Sequence, residues 1–495
     1  MGSRRSSDSP GGLDRRKFLR LVGAGSGLAL LSACGSSTTQ PSVAPTSVPA
    51  ATTAPAAAAT TAPAAATAAP VAAGEKISIS FWTPGGSAVF CQGFDTIAKN
   101  YEALNPNIDI GDVQCGIGND DDYNEILLAR IASGDPPDST ILWTSPIALG
   151  SRGALEPLDE YMATSQFSQL ENWPEGVLAS CQYQGKTYGL PATAGSYALY
   201  YNQEMFEAKG IPSSRDQFPK TWDELRALSK EFTHWNGDTL ETAGFIPKVD
   251  AVEFAVWAAL NGGKIYDTEA QKYEINSENN IEFMQYFLDW LEEEYKGDIT
   301  KVEESASWML YIDSDGRPPA FQAGKLAIGM QGFWAAGDLY QAEPVFERWD
   351  VAQFPVGPSG TTTVSGYWPN WLVIPKGSKH VKEAFDYLDY LSVEGIKVWF
   401  ANIPDLPANR KSSPDLVPEL TAQRRGREFA LDLTNFFRKQ LDIATPMWTS
   451  PIQDFSNDQI NRAIDLILHK VKSPKDALTE AQQASQAKLE ETLRA

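Results

Sequence analysis

Apolar and polar residues alternate through Ile77-Ser78-Ile79-Ser80-Phe81, the period of a half-buried strand, and Trp82-Thr83-Pro84-Gly85-Gly86 then supplies turn residues. Phe94, Ile97, Ala98 and Tyr101 recur at helical spacing, Ile108-Asp109-Ile110 opens a second strand, Tyr123 to Ala132 reads as a second helix and Ser139 to Trp143 as a third strand. This βαβαβ order predicts a parallel sheet with helices on its faces. Thr221-Trp222-Asp223-Glu224 is a capping box that opens a helix over 222–232. Helical periodicity returns over 281–295 and 378–400, Lys325 to Met330 reads as a strand, and Ser473-Pro474 starts a last helix with Pro at its first position. Helices and strands mix from end to end without an internal repeat, so the expected fold class is α/β.

Before residue 75 the pattern is different. Asp14-Arg15-Arg16-Lys17-Phe18-Leu19 is a twin-arginine run, followed by a short apolar stretch that ends in Leu31-Ser32-Ala33-Cys34. Spanning a bilayer takes about 20 apolar residues, so 1–33 fits a signal peptide better than the alternative, an uncleaved anchor helix. The small residues before Cys34 resemble a bacterial lipobox. That implies cleavage there, lipidation of Cys34, and a chain tethered to the outer face of the cytoplasmic membrane, extracellular or periplasmic. Residues 34–74 are almost entirely Ala, Thr, Pro and Ser, a composition that buries too little to fold. Such a stalk, extended at about 3.1 Å per residue, reaches on the order of 100 Å.

The remainder is too long for one core, so two lobes are expected. With 63 acidic against 41 basic residues the net charge is −22, which argues against nucleic acid and anionic lipid as partners. Three His without close partners make no metal site, and no cofactor motif is present. With Cys34 assigned to lipid, three Cys remain. Cys91 and Cys115 lie near the ends of early elements, and both a bridge between them and two free thiols are compatible with the sequence. Asn119-Asp120-Asp121-Asp122-Tyr123-Asn124 lacks the Gly and distal Glu of a calcium loop and reads as a solvated helix start; Asp313-Ser314-Asp315-Gly316 reads as a turn.

Six segments in order resemble the extracellular solute-binding proteins of ABC importers, the sugar-binding group that includes maltose-binding protein. They are Phe81-Trp82; Ile131-Ala-Ser-Gly-Asp-Pro-Pro-Asp138 with Leu142-Trp143 and 153–158; Gly185-Lys-Thr-Tyr-Gly-Leu-Pro191 leading to Tyr200-Tyr201-Asn202; Thr221 to Leu225; Phe321 to Met330 with Gly332-Phe333-Trp334; and Trp371-Leu-Val-Ile-Pro-Lys-Gly377. The resemblance implies a two-lobed, hinged clamp. Lobe one would comprise 75–190 plus 362–408 and lobe two 192–360 plus 409–495. A ligand in the cleft would draw the lobes together for recognition by a membrane permease, with the binding protein a monomer.

A sugar presents an apolar C–H face and a rim of hydroxyls, so its site needs aromatic faces beside polar groups. The chain has 14 Trp. By the resemblance, Trp82 and Trp143 end strands at ligand-lining positions, with core packing the alternative for each. Ser145 stands where maltose binders carry charged contacts. Trp334 matches a stacking residue of lobe two, and Phe455, with Trp448 as rival, falls near another. Gly366 precedes Tyr367 and Trp368, either of which could line the cleft, and Asp250, Glu253 and Trp257 lie where lobe two supplies polar and aromatic contacts. Trp222 and Trp290, on helices, read as core. The expectation is carbohydrate binding without catalysis. The alternatives are a secreted glycosidase, whose carboxylate pair the sequence cannot exclude, and a binder of glycerol phosphate or peptide.

Overall fold

The computed structural model describes residues 76–494 apart from 119, 307, 309, 311–318, 341–345 and 446–447. The twin-arginine run, Cys34, the Ala/Thr/Pro stretch and the Asp313–Gly316 turn lie outside the described residues. Two large sheets are built from β1 (Ile77–Thr83), β2 (Ile108–Cys115), β3 (Ser139–Leu142), β4 (Leu190–Pro191), β5 (Gly195–Asn202), β6 (Ile328–Gly332), β7 (Trp349–Ala352), β8 (Ser365–Trp368), β9 (Trp371–Val373) and β10 (Ala444–Thr445). The helices that position the site are α1 (Ala88–Leu104), α2 (Asp120–Ala132), α3 (Trp222–Phe232), α4 (Ala251–Leu260), α5 (Glu278–Glu294), α6 (Val381–Tyr390), α7 (Ile396–Asn402) and α8 (Arg427–Asp442).

The predicted βαβαβ unit forms, with β1 parallel to both β2 and β3. Phe94, Ile97, Ala98 and Tyr101 turn the buried face of α1 toward this sheet. The sheet is nevertheless mixed, in the order β2-β1-β3-β9-β4, and β9 runs antiparallel to both neighbours. The sequence pattern could not show this, because β9 arrives from the other sheet. Cys91 and Cys115 are disulfide-bonded, Cα to Cα 5.6 Å, and tie α1 to the end of β2. Cys181 is free and buried.

The second sheet runs β6-β5-β8-β10, with β7 also pairing to β5. β8 belongs to it through Tyr367↔Ser196 and Trp368↔Gly195, so the stretch around 365–368, expected in the first lobe, hydrogen-bonds within the second sheet. The strand expected at Lys325 begins instead at Ile328, because 321–324 is a turn. α3 starts at its predicted capping box, where the Glu224 amide donates to Thr221 Oγ1 and Glu224 Oε2 accepts from the Thr221 amide. Each sheet has its own core: Phe81, Phe94, Ile141, Leu372 and Tyr387 in the first, Tyr200, Trp222, Trp257, Phe287 and Trp349 in the second. The architecture is therefore the two-lobed α/β arrangement expected.

Three segments cross between the sheets and hydrogen-bond to one another. The Ala192 amide donates to Asn370 O at 2.7 Å, the Ala194 amide to Leu406 O at 2.7 Å, and the Ala408 amide to Ala192 O at 3.1 Å. Asn370 Nδ2 donates to Thr193 Oγ1 at 2.7 Å and to Asp405 Oδ2 at 2.8 Å. Three backbone crossings held side by side restrict relative motion of the sheets to bending about one line.

Candidate functional site

The crossings floor a cavity of ≈ 410 Å³ whose walls come from both sheets, a size common among small-molecule sites. On the first wall, the turn after β1 brings Gly86 and Ser87, the first turn of α1 brings Phe90, Trp143 directly follows β3, and α7 and its C-cap supply Trp399 and Ile403. Gly86 is required there, since a Cβ would lie 2.4 Å from Phe90 Cδ1. Phe90 meets Trp143 at 6.3 Å and Trp399 at 5.5 Å between ring centres, both edge-on. Trp399 reaches the wall after a π-helical turn at Leu391–Gly395. One extra residue there rotates the following helix by roughly 100°, so a helical phase read from 378 does not carry through to Trp399.

The second wall comprises Tyr197 of β5, Asp250, Val252 and Glu253 at the start of α4, Gln331 of β6 with Trp334 just after that strand, and Asp338. Trp334 folds back over its own strand, where a Cβ on Gly332 would fall 2.1 Å from its Cζ3, and it meets Tyr197 edge-on at 5.2 Å. Asp250 caps α4, its Oδ1 accepting from the Val252 and Glu253 amides at 2.8 Å each, while Glu253 Oε2 accepts from the Asp250 amide at 3.3 Å. Loss of hydration and the Asp250 charge hold the Glu253 carboxyl well above the usual range. Trp368, Asn370 and Asp405 form the floor. Burial pushes the Asp405 carboxyl up to about 8, against the opposing pull of Thr193, Asn370 and the Leu406 amide.

Of the residues singled out in the sequence, Trp143, Asp250, Glu253, Trp334 and Trp368 line this cavity. The others are placed elsewhere. Trp82 is buried in the first core with the Arg130 guanidinium 5.3 Å over its ring. Ser145 donates to Ser180 O at 2.9 Å beneath the surface. Trp257 is fully buried, 5.6 Å from Trp222 and 5.2 Å from Phe287. Gly366 accommodates α4, since a Cβ would meet Val256 Cγ2 at 2.4 Å. Tyr367 points to the opposite face from Trp368 and donates to Gly176 O at 3.1 Å. Phe455 and Trp448 pack against the second core, Trp448 edge-on to Tyr273. Sequence reasoning missed Phe90, Tyr197, Asp338, Asn370, Trp399 and Asp405. For Tyr197 the available signal was the start of an apolar run; Asn370 and Asp405 offered none, being polar residues in connecting segments.

The family model for bacterial extracellular solute-binding proteins matches residues 96–423. The chain is similar to the maltotriose-binding protein of Pyrococcus abyssi (strain GE5 / Orsay), 24% identical over 402 residues that cover 79% of this chain and 77% of that protein. It is similar also to a maltooligosaccharide ABC transporter solute-binding lipoprotein of Streptococcus pneumoniae (strain ATCC BAA-255 / R6), 24% identical over 57% of this chain and 62% of the relative. Among solved structures, CpMnBP1 with mannotriose bound superposes with a TM-score of 0.69 at 21% identity, covering 83% of this chain and all of that one. That likeness concerns the fold.

Proposed function

This chain belongs to the family of bacterial extracellular solute-binding proteins, and from that premise we propose that it is the substrate-binding subunit of an ABC importer, capturing a carbohydrate in the cavity between its sheets. The observation that carries this reading is the cavity's composition. Trp143, Trp334 and Trp368 offer faces for the apolar side of a sugar ring, and Asp250, Glu253 and Asn370 stand beside them to bond hydroxyls. The maltotriose- and maltooligosaccharide-binding relatives support the same class of ligand. Trp143 comes from one sheet and Trp334 from the other, so a ligand touching both favours approach of the lobes about the crossings. Cys34, lipidated, would hold the protein at the outer face of the membrane near its permease; the pneumococcal relative is itself a lipoprotein.

The test is calorimetric titration of the full-length protein with mono- and oligosaccharides, with chromatographic recovery of the bound sugar. Saturable binding with the sugar returned intact is expected. Release of shortened glycan would replace the transport reading with glycoside hydrolysis, and binding of peptides with no response to any sugar would refute the carbohydrate assignment.

A further inference from the structure

The ionisable side chains that line the cavity, its Tyr apart, are all carboxylic acids. Asp250, Glu253, Asp338 and Asp405 all line it, and among the described residues no Lys, Arg or His does. The basic side chain acting on Glu253 is Lys248, which is ion-paired with Glu303 and does not line the cavity. The capping box at the start of α4 accounts for the presence of Asp250 and Glu253 as helix-end groups, but it gives no reason for Asp405.

Asp405 supplies an independent sign of a missing ligand group. It is 2% exposed, and while its Oδ2 accepts from Asn370, its Oδ1 has no hydrogen-bond partner. That oxygen lies at the aromatic wall: a Cβ on Gly195 would stand 2.3 Å from Oδ1 and 2.8 Å from Trp334 Cζ3. A buried polar atom without a partner is costly unless something else matches it. Carboxylates beside Trp143 and Trp334 present two groups that attract cations, anionic oxygens and the negative faces of indole rings. The net charge of −22 adds long-range attraction for positive solutes. An anionic ligand, phosphorylated or uronic, would push these acidic groups further toward their protonated forms, whereas a cation beside Glu253 and Asp405 would favour their ionised forms.

We propose that the ligand is a hydroxylated ring compound bearing an ammonium group, an amino sugar or a short oligomer of one; this rests on the carbohydrate reading above. The ammonium would sit among the carboxylates while the rings cover the sugar faces. An ammonium near Asp250 and Glu253 would also relieve their mutual repulsion.

The experiment is calorimetry on the full-length protein with glucosamine trimer, its N-acetylated counterpart, maltotriose, an oligogalacturonate and spermidine. Glucosamine trimer is expected to bind at least about tenfold more tightly than either neutral trimer, with no binding of the oligogalacturonate. That advantage is expected to shrink several-fold in half-molar salt, which screens charge pairs that water reaches. Asp250→Asn keeps a good helix cap and is expected to weaken glucosamine trimer about threefold more than it weakens maltotriose, whose hydroxyls meet the same side chain. The salt dependence of the unaltered protein stands if the variant misfolds. Maltotriose binding as tightly as glucosamine trimer would overturn this proposal and leave the sugar reading intact. Spermidine binding alone, or binding of none of the five, would overturn both.

Discussion

Two aromatic clusters sit in the same half of the molecule and serve opposite ends. Around Trp257, the rings of Trp222, Phe245 and Phe287 stand 5.2–5.6 Å away. Trp257 itself has no exposure. Around Trp334, Tyr197 closes one side at 5.2 Å and the other side opens on the cavity shared with Trp143 and Trp368. Residue type does not separate the two clusters. Their company does: Trp257 has aliphatic and aromatic neighbours, whereas Trp334 lies over Gly332 and Gly195 and is bordered by carboxylates. Glycine beneath a ring and charge beside it mark a surface built to receive something, while a ring surrounded by rings is filling space.

The sharpest way to break this distinction is Trp257→Ala. Removing a fully buried indole should cost about 3–5 kcal/mol of stability, read by denaturant unfolding. A variant of unchanged stability that loses sugar affinity would move Trp257 from the core to the site.

The second prediction concerns the floor, where a polar group is buried as deeply as any ring. Asp405 has its folded-state pKa raised to about 8, above the roughly 3.9 of an unfolded chain. The folded state therefore holds the proton more tightly. The associated stability is fully present below about pH 4 and is lost as pH rises through about 8, because the unfolded chain gains by ionising. Asp405→Asn can keep the hydrogen bond from Asn370 and cannot titrate. The melting temperature of the parent relative to this variant should fall between pH 4 and pH 8 and level off above. Parallel curves across that range would show that Asp405 ionises normally.

Third in size is Trp334→Ala, expected to weaken sugar binding by about 2 kcal/mol, the scale of an aromatic anchor in an interface. Its half-open ring should leave stability much less affected than Trp257→Ala does. Comparable loss in both measurements would merge the two clusters into one core.

What was legible in the sequence follows from how local each feature is. The strand that leads to Trp143, the α3 capping box and the face of α1 depend on residues within a turn or two, and they stand where the patterns put them, whereas Trp334 came from the family resemblance. The antiparallel entry of β9 depends on which distant strand it meets, and periodicity within a segment carries no information on that. The same reason hides the floor: Thr193, Asn370 and Asp405 meet only because three crossings lie side by side. Trp399 was hidden differently, by a single extra residue in a π-turn that resets the helical phase.

The smallest effect tests the comparison at the scale of one residue. Tyr367 and Trp368 are neighbours on β8, and strand geometry sends them to opposite faces. Tyr367 is buried, its hydroxyl donating to Gly176 O, and burial raises its pKa to about 12. Trp368 is half-buried and floors the cavity. Tyr367→Phe removes one buried hydrogen bond and should cost about 1 kcal/mol of stability, with sugar affinity unchanged in calorimetry. Trp368→Ala should do the reverse, lowering affinity with a smaller change in unfolding. If Tyr367→Phe lowers affinity while stability holds, the hydroxyl reaches the ligand, and the boundary between core and cleft runs on the other side of β8.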